Sequence, residues 1–559
     1  MTDPGANPPA FGARFGSAAR PRADGCPAPG RSWLARYAGL GGALLLAVAG
    51  YLGGALPGTI TRAWHSGAGP LIVALWLLGT AALVGSWWAL RGGAPSTRWA
   101  YVTAGLWALP LLVTAPMGSR DVYSYACQGW VYADGGDPYA TGVAAAGCPW
   151  VETVAPIWRD TPAPYGPFFV LLAALAVVLG GGLVGTVVLL RVLAVAGLLL
   201  AAICLPGLAR AAGIPARRAV WLLLACPLVG VHLVAGAHND AVMLGLLLLG
   251  LLILVRTGPA SGPHGLPAPS LPAGPSRLPG PGRAAGASRL AGLRAQSTVG
   301  RLAALLVAGV LLGLAVSVKA TAVVVLPFAA LAAVRGRPTV PALVRDGGTL
   351  AVGALAGLAV TSLLAGLGLG WLGGLGRSGD TVQWTSPPTA IGMVVDYVGE
   401  LFGRQPAAVP VVRVVALVVL AALLVLLWLR AWSALRDPDG ERSRGRDGAA
   451  PPHVPDDAGS SSAHIRVALL GAGLALAATV ALAPVFHPWY ATWPLAVLAV
   501  AATRTAWFVV PSAVASFLVL PDGTNLARLA KAPGAVAMTL LVVGLAIWGL
   551  PRLRHARLR

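Results

Sequence analysis

Residues 119 to 142, SRDVYSYACQGWVYADGGDPYATG, follow the apolar run RWAYVTAGLWALPLLVTAPM and gather aspartates and tyrosines in a chain otherwise short of acid. Asp121 stands out, because a carboxylate directly after an apolar segment would be held by a rigid helix end yet stay reachable from water, a good setting for a general base. Arg120, Tyr123 and Tyr125 open a loop that also holds Asp137 and Tyr139 in DPY and closes in WRDTPAPYGP with Asp160 and Tyr165. Rings stack on the apolar faces of a pyranose and acids accept from its hydroxyls, so the loop suits a sugar. An interfacial aromatic belt with solvated acids is the structural alternative. A second polar turn, AGAHND, compresses His238, Asn239 and Asp240 between apolar runs. Asx bonding would explain it, and so would a substrate site; as a metal site it offers two ligands with no evident third, which leaves a divalent metal undecided. Lys319 in LAVSVKATAVVVLP and Arg191 in TVVLLRVLAVAG lie near the outer ends of apolar runs, as does Arg413. Each either snorkels to the interface or offsets the charge of a lipid-linked phosphate at that depth. APVFHPWYATWP adds His487, Trp489 and Tyr490, and the prolines of GDTVQWTSPPTAIG suggest a semi-rigid lid.

The elements that must position these groups are membrane helices. The 559 residues are 57% hydrophobic and 11% charged, with a mean hydropathy of +0.76, outside the soluble globular range. Apolar runs long enough to cross the hydrocarbon core are expected at 34–56, 71–90, 99–117, 184–209, 219–236, 240–256, 301–318, 320–334, 348–370, 409–430, 466–484, 489–502, 505–520 and 533–550, about fourteen spans in an all-α polytopic fold. With the N-terminus inside, most of the 40 basic residues fall on the cytoplasmic side. The net charge of +21 is therefore read as topology and contact with anionic lipid rather than as a nucleic-acid footprint. The run 168–182 is laid at the outer interface, because a crossing there would put Arg210, Arg217 and Arg218 outside.

The expected organisation is a disordered cytoplasmic tail (1–32), a transmembrane region (33–256) with external loop 118–166, and a Pro/Gly-rich cytoplasmic linker (257–300) expected to be disordered. A transmembrane region (301–430) with external loop 371–408, a polar cytoplasmic linker (431–465), C-terminal helices (466–550) and a basic cytoplasmic tail (551–559) follow. No cleavable signal peptide and no carboxylate within a span are expected, and the unusual polar groups all face one side. Cys127 and Cys148 share the first external loop, where they either pair in an oxidising compartment or stand as unrelated buried thiols.

SRDVYSYACQGWVYADGGDPY, PWVETVAPIWRDTPAPYGP, LVAGAHNDAVMLGLLL, VSVKATAVVVLPF and the HPWY turn, in this order, resemble the actinobacterial polyprenol-phosphomannose-dependent alpha-1,6-mannosyltransferases, integral membrane glycosyltransferases of the GT-C class. The resemblance runs from about residue 99 to 500. It implies a GT-C fold with Asp121 as the catalytic base and Asp240 as the second acidic position; together with the charge placement, which puts both termini in the cytoplasm, the expected setting is the plasma membrane with an extracytoplasmic active site. It further implies a polyprenyl-phosphate-mannose donor, a lipid-anchored mannan acceptor and one inversion at the anomeric carbon. The leaving phosphate needs cations, for which Arg191 and Lys319 are the candidates and Arg120 the alternative. His238 and Asp240 would orient a substrate or help hold a metal. Two rivals stand beside this reading: a GT-C enzyme using another lipid-linked sugar such as arabinose or glucose, and a transporter or flippase. The latter would be expected to bind near the bilayer midplane between repeated halves.

Overall fold

The computed structural model describes residues 29–57, 65–257, 283–334, 338–377, 381–436 and 457–557. Backbone polar groups in lipid must be satisfied within their own segment, and the apolar runs accordingly coil into helices; no strand occurs among the described residues. In order these are α1 (Pro29–Gly53), α2 (Gly69–Ala89), α3 (Thr97–Leu112), α4 (Asp121–Ala133), α5 (Pro167–Gly180), α6 (Leu183–Ala211), α7 (Ala216–Leu224), α8 (Asp240–Arg256) and α9 (Arg283–Val318). There follow α10 (Leu326–Ala333), α11 (Val340–Ala365), α12 (Trp371–Arg377), α13 (Pro387–Leu401), α14 (Ala408–Arg436), α15 (Asp457–Leu482), α16 (Thr492–Ala501), α17 (Ala506–Ala515) and α18 (Lys531–Arg557).

Among the described residues eight helices are long and apolar enough to span a membrane, or nine if α7 and the π-helical turn Val229–Ala235, bent by 65°, count as one. The chain is a multi-pass membrane protein, but the fourteen expected spans are not met one for one. Runs 99–117 and 240–256 form α3 and α8, of 16 and 17 residues, and runs 320–334, 489–502 and 505–520 form only the shorter helices α10, α16 and α17, the first two of these after 3-10 turns at Ala320–Val325 and Pro488–Ala491. Hydropathy does not distinguish a helix facing lipid from one sealed in protein. Every residue of α16 is buried, whereas the most apolar window of α14 is 6% buried. The run at 168–182 is the 14-residue α5, roughly 21 Å long at 1.5 Å per residue, and it precedes the 29-residue α6.

The latter part of the expected linker 257–300 is helical, because its prolines stop at Pro281 and α9 begins at Arg283. α18 likewise continues as helix through most of the expected tail 551–559. Most of the tail 1–32 and of the linker 431–465 lies outside the described residues. The expectation of no carboxylate within a span also needs correcting. Asp346, fully buried near the start of α11, pairs with Arg301 at 2.6 Å and Arg345 at 2.8 Å, and two guanidinium groups offset its desolvation.

Glycine sets the close helix contacts. A side chain at Gly197 of α6 would stand 2.4 Å from the Ala241 carbonyl and one at Gly245 of α8 2.4 Å from the Gly197 carbonyl, so α8 is drawn tightly against α6 beside Asp240. At Gly129 the backbone of α5 at Ala173 comes as close, seating α4 on α5. Cys127 of α4 is disulfide-bonded to Cys148, Cα atoms 5.6 Å apart, which resolves the two readings of these cysteines.

Candidate active site

Asp121 is the first residue of α4, and its own N–H donates to Ser119 Oγ at 3.0 Å. Three ties fix the approach to this helix. Gly118 adopts φ +74°, where a side chain would be strained and would meet Val231 and His232. Arg120 donates to the carbonyls of Leu56 (3.3 Å) and Thr153 (3.2 Å), and the buried Tyr123 hydroxyl donates to the Ala55 carbonyl at 2.6 Å. Arg120 and Tyr123, expected among the substrate groups, thus brace the backbone.

The second turn meets the first. Ala237 holds φ +52°, a left-handed conformation that costs a non-glycine residue about 1 kcal/mol or more and turns the chain into His238, Asn239 and Asp240, all fully or almost fully buried. His238 Nδ1 lies 3.7 Å from an Asp121 carboxylate oxygen and 3.7 Å from one of Asp240. Lys319 donates to both Asp240 oxygens at 2.9 Å, and Trp493 Nε1 donates to Asp240 as well. The Tyr125 hydroxyl donates to Asn239 Oδ1 at 3.4 Å, and its ring packs edge-on against Tyr165 and Phe169. His487 stacks on Trp489 at 4.6 Å, and Tyr490 on Trp493 at 4.2 Å.

Of these groups Asp121, Tyr165, Lys319, His487, Trp489, Tyr490 and Trp493 border one cavity of about 190 Å³, far more than the roughly 10–15 Å³ that a single water requires, whereas His238, Asn239, Asp240 and Tyr125 are packed against them and are not on its wall. Its wall includes Asp121, Ser124 and Gln128 from one face of α4, Tyr165 and Trp158 from the long loop, Lys319, Leu375 and Arg377, and His487, Trp489, Tyr490 and Trp493. The Asp121 side chain is 14% exposed, and burial pushes its carboxyl up to about 6, against the pull of Ser119 and Lys319 and with a smaller push from Asp240. Burial drives His487 down to about 3, Lys319 adding to it, and lowers His238 well below the usual histidine range, so both imidazoles are neutral. Ser124 Oγ, on the cavity wall, is buried with no hydrogen-bond partner in the protein, an arrangement that a substrate hydroxyl or water would satisfy; His238 Nε2 and Asn239 Nδ2, which are not on that wall, are unpartnered in the protein too.

The other expected groups lie elsewhere. Arg191 donates to the carbonyls of Leu112, Thr114 and Ala235 at 2.7–2.9 Å, which makes it a clasp on helix ends rather than a cavity cation. Asp137 accepts from the Tyr139 N–H at 2.8 Å in a turn, and the Tyr139 hydroxyl donates to the Tyr165 carbonyl. Asp160 does not line the cavity. Among the described residues no three His, Cys, Asp or Glu side chains are grouped to hold a metal. Among the cavity residues that the sequence reading did not single out are Ser124, Gln128, Trp493 and Arg377. Ser124 and Gln128 carried a usable signal, three and seven positions after Asp121 on one helix face.

A family model described as Alpha-(1->6)-mannopyranosyltransferase, N-terminal domain, matches residues 36–335, and a second, MptB C-terminal domain, matches residues 460–548. Among curated proteins, alpha-(1->6)-mannopyranosyltransferase A of Mycobacterium tuberculosis is 30% identical over 76% of this chain and 70% of its own length. A probable alpha-(1->6)-mannopyranosyltransferase of Mycolicibacterium smegmatis is 33% identical over 72% and 65%, and alpha-(1->6)-mannopyranosyltransferase B of Corynebacterium glutamicum 29% identical over 76% and 63%. This chain thus spans about two thirds of the length of these relatives. No solved structure matches it. The family model covers more than half of the chain, Asp121 and Asp240 included, and the chain belongs to the alpha-(1->6)-mannopyranosyltransferase family.

Proposed function

We propose that the chain transfers mannose from polyprenyl-phosphate-mannose to a lipid-anchored mannan in alpha-1,6 linkage, with inversion, on the outer face of the plasma membrane. The observation that carries this reading is Asp121: a carboxyl of raised proton affinity at the edge of a cavity walled by His487, Trp489 and Tyr490. Asp121 takes the proton of the acceptor 6-hydroxyl as that oxygen bonds to the anomeric carbon, and the bond from this carbon to the phosphate oxygen breaks with its electron pair leaving on the phosphate. The aromatic wall stacks on the sugar, Ser124 bonds one of its hydroxyls, and His238 and Asn239 hold their contacts with Asp121 and Tyr125 at the edge of that wall. Asp240, held by Lys319 and Trp493, keeps the His238 turn in place. The disulfide of the long loop supports an oxidising, non-cytoplasmic side for the site.

The test supplies radiolabelled polyprenyl-phosphate-mannose and a short alpha-1,6-mannoside to membranes from a host lacking the activity. The natural sequence is expected to transfer label, and Asp121→Asn to lower the rate about 10²- to 10⁴-fold while still inserting. Transfer from the arabinose or glucose donor in place of mannose would reassign the substrate; undiminished transfer by Asp121→Asn would remove the base.

A further inference from the structure

The leaving group of this reaction sharpens a question the fold leaves open. A mannosyl phosphodiester carries one negative charge and departs as a phosphate monoester with about two, so the cavity must supply positive charge where it accumulates. Asp121 and Asp240 already bring two carboxylates against the single ammonium of Lys319, which is itself held on Asp240. Another anion calls for another cation. Arg191 is bound to three carbonyls, Arg120 to two, and Arg413 to Thr389 Oγ1 and the Thr381 carbonyl, all away from the cavity wall. Among the described residues the basic side chains on that wall are Lys319 and Arg377.

Arg377 is exposed and ends α12, and this helix is seated firmly for so short an element. Trp371 is buried at its start; the chain at Gly370 lies against the Tyr139 ring, and a side chain at Gly374 would come within 2.7 Å of the Ala163 carbonyl. α12 therefore rests by its glycines on the loop that also carries Tyr165, and from this seat Leu375 and Arg377 reach the cavity. We propose that Arg377, together with Lys319, binds the phosphate of the polyprenyl-linked donor. This assignment rests on the mannosyl-transfer reading. Arg377 grips the phosphodiester in the ground state and the monoester as the sugar–phosphate bond breaks, and its planar fork of N–H donors suits both. The third N–H of Lys319, beyond the two directed at Asp240, completes the cradle.

The experiment measures transfer from polyprenyl-phosphate-mannose to a short alpha-1,6-mannoside, and inhibition by polyprenyl phosphate, for the purified full chain, Arg377→Ala and Arg377→Lys. Arg377→Ala is expected to raise the donor KM and the polyprenyl phosphate inhibition constant together, by about 10- to 100-fold, and to leave the acceptor KM within twofold. Arg377→Lys is expected to recover part of both losses. Unchanged donor KM and inhibition constant, or donor and acceptor KM rising together, would overturn the assignment while leaving the transfer reaction standing. No transfer from this donor by the natural chain would sink the mannosyl reading and the assignment with it.

Discussion

A carboxylate that accepts a proton from a sugar hydroxyl gains from a proton affinity near the working pH, and burial brings Asp121 there, to about 6. The sign follows from the base being the ionised form. kcat/KM should be level above pH 7 and fall about tenfold per unit well below pH 6; a flat profile from pH 5 to 7 would rule Asp121 out as the base. Much of the site was legible in sequence because polar groups in so apolar a chain are conspicuous. Asp121, His238, Asp240, Lys319, His487, Trp489 and Tyr490 do converge. Arg191 illustrates the limit. Its type and depth fitted a phosphate, but its partners are three carbonyls from two distant places in the chain, and only the fold reveals which backbone oxygens need a donor.

At the scale of elements, α4 governs the geometry, since one of its faces carries Asp121, Ser124 and Gln128 into the cavity. Its far half is tied by Cys127 to Cys148, a link that closes a loop of 21 residues and should stabilise by about 3 kcal/mol, mostly by limiting the unfolded chain. Reductant should therefore lower the thermal midpoint of the detergent-purified natural chain and leave that of the double variant Cys127→Ser, Cys148→Ser unmoved. Equal midpoints for natural and double-variant chains without reductant would show that packing alone holds α4. Hydropathy located the long helices well. It overcounted spans because α10 and α16 are apolar for the sake of protein neighbours and because α10, α16 and α17 are all too short to cross alone, which composition does not reveal.

For the whole molecule, the cavity draws on distant parts of the chain: Asp121 and Tyr165 from the long loop, Lys319 beyond α9, Arg377 on α12, and His487 to Trp493 after α15. The last group lies in the region matched by the second family model, the two aspartates in that matched by the first. A chain cut within 437–456 and co-expressed as two pieces is expected to regain mannosyl transfer, whereas either piece alone should give none; activity from the first piece alone would mean that the aromatic wall is dispensable. The contact of Trp493 with Asp240 also bears on biosynthesis. A ribosome emits the aspartates hundreds of residues before the indole that completes their surroundings, so a nascent or prematurely terminated polypeptide holds the acids without the wall. The cavity is therefore closed only when synthesis is nearly complete, and an unfinished copy carries its acids without the indole that holds one of them.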